Sequence, residues 1–159
     1  MRLAREGLRP AGNLKAILLA LLGVVMVMGG AVVAFTPPWS IAGAAAGFLS
    51  MLIGTLLPFK PWPSLAKALL AYGYASRIPV VLVMYVAMQG RWGTHYDALP
   101  PGYAGPTTLW GQFALIGLLP QLFFWVGFTV TIGAFAGGIV TAASSRSLPA
   151  GPAAAKGRG

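Results

Sequence analysis

Long apolar runs broken by short polar or proline-rich stretches dominate the chain. Four runs stand out: residues 15–35, 41–59, 65–89 and 109 to about 143. A helix crosses a hydrocarbon core of ~30 Å with about 20 apolar residues, so the first three are each one span. The fourth would be about 50 Å long as a straight helix. Pro120 removes a backbone donor and crowds the preceding turn, so a kink or break is expected there. Residues 121–143 then form the span, and 109–119 an interfacial element at the outer surface. Transmembrane strands alternate apolar and polar positions, and no run here does so. The expected fold is an all-α polytopic bundle of four transmembrane helices.

The runs are flanked unequally by charge. Arg2, Arg5, Arg9 and Lys15 precede the first, Lys60 and Lys67 flank the second connection, and Arg146, Lys156 and Arg158 follow the fourth. The opposite connections carry only Arg91. The positive-inside rule then puts both termini in the cytoplasm of a bacterial-type inner or plasma membrane. Trp39, Trp92 and Trp110 are expected near the outer interface and Trp62 near the inner one. Residues 1–14 read as a basic leader and 144–159, rich in Pro, Ala and Gly, as a disordered cytoplasmic tail. The apolar core of the first run exceeds that of a signal peptide, so it reads as a retained span.

Composition narrows the chemistry. The 159 residues are 57% hydrophobic and 8% charged, with a net charge of +9. The basic residues are spread over three segments, which reads as a topology signal and an attraction to anionic lipid, with no nucleic-acid partner. There is no cysteine and one histidine, so no thiolate, disulfide or histidine-pair haem chemistry is available from one chain. The two carboxylates, Glu6 and Asp97, fall on opposite sides of the bilayer in this topology, which leaves no acid–base pair and no proton-carrying acid within a span. Ser40 alone shares a side with His95, and no nucleophile elbow surrounds it. The chain reads as a non-enzyme that needs no cofactor or metal.

Three sets of residues remain as candidates. In the 19-residue connection 90–108, Arg91, His95, Tyr96 and Asp97 form either a small polar site or a turn that Asp97 caps. One His and one Asp are too few for a metal. Gly43, Gly47 and Gly54, with Gly133 and Gly137, are spaced for close helix packing, within the chain or between subunits. Arg77 lies ten residues, about 15 Å, beyond Lys67 and so deep in the third span. A central arginine costs at least about 2.5 kcal/mol on insertion scales and needs compensation. Pro79 frees the Ala75 carbonyl, and Tyr74 and Ser76 offer nearby hydroxyls, so these are its expected partners, together with an anion or another subunit.

Two functions follow as expectations. The first is an accessory or scaffold subunit of a larger membrane assembly, with membrane lipids and other subunits, or further copies of itself, as partners. The alternative is a small oligomeric transporter or channel in which Arg77 binds an anion or a lipid phosphate.

Overall fold

The computed structural model describes residues 9–36, 40–103 and 105–146; Trp39 and most of the expected leader and tail lie outside them. Most of the described residues are helical, and no strand occurs among them. Helix α1 is Asn13–Phe35 and α2 is Ile41–Leu56, extended by a 3-10 turn at Leu57–Phe59. Helix α3 is Pro63–Gly90. The fourth helix, α4, begins at Leu109 and runs on through Ser144. All four are long and apolar enough to cross a membrane.

The connections explain where the helices stop. Ser40 accepts a hydrogen bond from the Gly43 amide at 2.9 Å, capping α2. At the other end of α2, Pro58 and Pro61 bracket a turn in which Trp62 N donates to Pro58 O. Pro63 opens α3 at a position where its missing N–H costs nothing. Ala11 N donates to Pro61 O at 2.8 Å and ties the start of α1 to this turn. Thr108 caps α4 by accepting from Gly111 N.

The α1–α2 hairpin is held by a seam of small residues. On α1 the buried positions are Ala16, Ala20, Gly23, Val27, Gly30 and Ala34, alternating four and three apart. That is the spacing of a helix-pair seam. Gly47, Met51 and Gly54 answer from α2. A Cβ on Gly30 would lie 2.5 Å from the Gly47 carbonyl oxygen, and one on Gly23 would lie 2.7 Å from that of Gly54. The backbones therefore approach as closely as glycine permits, which gains dispersion contact where lipid gives no hydrophobic drive. Ser50 Oγ donates across the seam to Met26 O at 3.0 Å.

Helix α4 packs against both α1 and α3. Ile17 meets Gly138, Gly23 meets Thr131, and Val27 meets Gly127. On the other side Leu65 meets Gly137, Leu69 meets Gly133, and Val126 meets Gly73. Helix α3 thus lies along α4, on the far side from the α1–α2 pair.

The expected break at Pro120 is a bend within one helix. The chain passes through two π-helical segments, Phe113–Leu118 and Pro120–Trp125, and bends at 119. Leu119 N donates to Ala114 O, five residues back. Proline cannot donate and crowds the carbonyl four residues earlier, and a wider turn relieves both problems. The α1–α4 register places Leu119 level with Phe35, the last residue of α1. The bend therefore falls where α1 ends. Beyond it, Leu109–Leu118 packs on the last turns of α3. There Val81, Met88 and Phe113 form a separate core flanked by Tyr85, Leu109 and Ile116. This part of the α3–α4 pair extends past α1 by roughly 12–15 Å at 1.5 Å per residue.

Candidate functional site around Arg77

The α4-facing seam of α3 contains the buried residues Ala66, Gly73, Val81 and Met88. Arg77 occupies the middle of that seam, one turn beyond Gly73. Its side chain is half-buried against α4. The Nη1 group donates to Gln121 Oε1 at 3.4 Å, a long bond. The guanidinium carbon sits 4.8 Å from the centre of the Trp125 ring, within cation–π range. Buried Nε–H has no hydrogen-bond partner. Gln121 spends its own amide N–H on the sulfur of Met84, a weak acceptor, at 3.8 Å.

The geometry is a surplus of donors. A guanidinium offers five N–H groups in a planar fork. Here one carbonyl oxygen and one aromatic face answer them, and no carboxylate takes part. An unmet donor on a buried charged group costs more than the ~1–3 kcal/mol typical of a neutral one. The site as it stands can accept a negatively charged or strongly accepting group and has none of its own.

The other residues singled out around Arg77 do not join it. Ser76 Oγ donates to Gly73 O at 2.9 Å, within its own helix. Tyr74 is 41% exposed on α3 and makes no described hydrogen bond to Arg77. The partners are instead Gln121 and Trp125, one turn apart on α4. From sequence, Gln121 reads as a residue near water. In the structure it meets Arg77 and Met84 of α3. Its signal was a lone amide just after a proline inside an apolar run, and that of Trp125 was a tryptophan far from either end of its run.

The small-residue positions are occupied within the chain. Gly47 and Gly54 meet Gly30 and Gly23 of α1, while Gly133 and Gly137 receive Leu69 and Leu65 of α3. Gly43 lies against its own cap, Ser40. None of these pairings needs a second subunit. Sequence reading missed Gly23 and Gly30, which form the α1 half of the seam. Their signal was the alternating spacing of small residues along the first run.

Residues 93–97 of the connection fold as a turn around Asp97. Its carboxylate accepts from Gly93 N at 2.8 Å, from Thr94 N at 2.6 Å and from Thr94 Oγ1 at 2.9 Å. Arg91 closes α3 in the left-handed region, at φ 49°, and is exposed. His95 and Tyr96 stack edge to face, 6.3 Å between ring centres. No group of three metal-ligating side chains occurs among the described residues. The four residues thus share a loop, but Asp97 is spent on the loop's own amides.

Those amides, Gly93 first and then Thr94, hold the Asp97 carboxyl below the ordinary carboxylate range. Because the folded value is lowered, the turn is stabilised at neutral pH, and the contribution is lost as pH falls through that lowered value. Protection of the Gly93 and Thr94 amides, taken against the intrinsic exchange rate at each pH, should therefore fall at acid pH. Asp97→Asn should show the lowered protection already at pH 7. Equal protection in wild type and variant at neutral pH would remove the capping role.

Comparison of the chain with protein-family models, with curated proteins and with solved structures finds no match in any of the three.

Proposed function

We propose that this chain is a non-catalytic subunit of a larger membrane assembly, serving as an accessory or scaffold component. The observation that carries this reading is Arg77. It is a permanent charge in the seam of a spanning helix, its Nε–H lacks a partner, and none of the four spans holds a carboxylate. Such a charge is costly unless something outside the chain answers it. The placement of α3 supports the same reading. It packs along α4 and leaves Tyr72, Ile78, Leu82 and Val86 on its outward side, each at least 48% exposed. The glycine motifs are used inside the chain, so attachment runs through α3 and Arg77 rather than through those motifs.

The proposed setting is a bacterial-type inner or plasma membrane with both termini cytoplasmic. Arg9, Lys15, Lys60 and Lys67 gather at one end of the bundle and Arg91 stands at the other. With no native cysteine, single cysteines at positions 60 and 94 report orientation cleanly. An impermeant thiol reagent on intact cells should label 94 and spare 60; the reverse pattern overturns the orientation.

Association is tested by purifying the chain in mild detergent from its native membrane and weighing the particle. The subunit reading expects a second protein in fixed stoichiometry. A particle containing this chain alone, as a monomer or homo-oligomer, contradicts it and favours the anion-transporter reading, to which the same donors are suited.

A further inference from the structure

We infer that Arg77 is the docking point for a carboxylate carried within the membrane span of a partner protein, and that the partner is a different chain from this one. The inference rests on the subunit reading and names the chemistry of its contact. Three observations lead to it.

The first is the imbalance at the site. Arg77 Nε–H is buried and unanswered, Nη1 has one bond of 3.4 Å, and Gln121 Nε2 faces only a thioether at 3.8 Å. A carboxylate has two oxygens with about four acceptor positions and matches the guanidinium fork. Once such a pair has formed in a low-dielectric setting, breaking it is costly, because each charge would then stand alone.

The second is that none of the four spans of this chain carries an acid. Its carboxylates are Glu6, ahead of α1, and Asp97, in the connection between α3 and α4. Asp97 already holds the Gly93 and Thr94 amides. Self-association therefore brings a second Arg77 and no counter-charge, so the complement has to come from another protein.

The third is depth. Its contacts with Gln121 and Trp125 place Arg77 level with the turn 121–125 of α4. The contacts of α4 on α1 place the middle of that turn beside Ala31, four residues inside the Phe35 end of α1. That is about 6 Å within the span at 1.5 Å per residue. Lipid phosphates lie outside the hydrocarbon, whereas an acid on a partner helix meets Arg77 at its own depth. Trp125, on which the guanidinium rests, is itself 37% exposed. Just before Arg77 the outward positions Ala68, Ala71 and Ala75 are small and exposed, so a third helix can come close.

The test uses the full chain in phosphatidylcholine vesicles and two synthetic helical peptides that differ only in a central Glu or Gln. Energy transfer between labelled chain and labelled peptide reads binding. The Glu peptide should bind at least about tenfold more tightly, the lower end of the coupling seen for close charge pairs. Arg77→Gln should remove that preference. Equal binding of the two peptides by the wild type overturns the inference, and so does a preference that survives in Arg77→Gln. Should Arg77→Gln fail to insert, the wild-type contrast still decides. Adding phosphatidylglycerol separates the lipid alternative. A Glu preference that persists supports the inference, and one that vanishes assigns the site to lipid phosphate instead. The two proposals also fail separately. A chain that purifies alone yet selects the Glu peptide contradicts the subunit reading, whereas a partner found without Glu selection contradicts the inference.

Discussion

Gly30→Ala is expected to open the α1–α2 hairpin, while Gly29→Ala, one residue away, is expected to leave it intact or tighten it. The two glycines are neighbours in sequence and differ only in the face they present. A Cβ on Gly30 would lie 2.5 Å from Gly47 O, 3.0 Å from Met51 Cγ and 3.1 Å from Met51 N. Two of those atoms are backbone and cannot move aside without separating the helices. A Cβ on Gly29 meets nothing within 4 Å. Overpacking a tight interface typically costs about 1–3 kcal/mol, and clashing with backbone belongs at the upper end. At an exposed helical position, replacing glycine by alanine instead gains up to about 1 kcal/mol. Reversible unfolding in mixed micelles, titrated with denaturing detergent, reads both. Equal effects at the two positions would mean that the seam does not hold the hairpin. Gly47→Ala should behave like Gly30→Ala, because its Cβ would be driven into the Gly30 carbonyl.

The second large effect has opposite signs at two residues that touch. Arg77→Leu should stabilise the isolated chain by about 1–2 kcal/mol, since replacing an under-satisfied, half-buried charge by an apolar group of similar size is often favourable. Gln121→Leu should destabilise it by about 1–3 kcal/mol, because Arg77 stays in place and loses its one hydrogen-bond acceptor. The same micelle titration measures both. If Arg77→Leu is the more damaging of the two, the guanidinium is already well satisfied within the chain, and the reason to look outside for its complement disappears. A variant that is more stable alone and less able to associate would mark Arg77 as retained for assembly at the expense of the monomer.

Much of this architecture was legible in the sequence because lipid leaves the backbone few choices. Runs of about 20 apolar residues have to be helices, and their ends follow from Ser40, the prolines at 58, 61 and 63, and Thr108. The distortion at Pro120 followed from the missing donor. Its form did not, because whether a helix breaks or widens into π turns depends on what it packs against. Here the last turns of α3 hold Leu109–Leu118 in line. The site was only half legible. Arg77 announced itself as a charge in an apolar run. Gln121 and Trp125 did not, since bringing residue 121 to residue 77 needs the register of α4 on α3. Glycine spacing showed that helices would approach closely at Gly47, Gly54, Gly133 and Gly137. Which helix each would meet is a matter of tertiary arrangement, and spacing alone carries no trace of it.

The most direct measurement of the central claim replaces Tyr74, exposed one turn from Arg77, with a photo-reactive residue and irradiates the chain in its native membrane. The intact mass of the adduct identifies what sits against that face. The expected adduct is enlarged by a second, different protein, with an acidic residue in the span that carries the cross-link. An adduct of lipid mass, a dimer of this chain, or no protein adduct at all would contradict it.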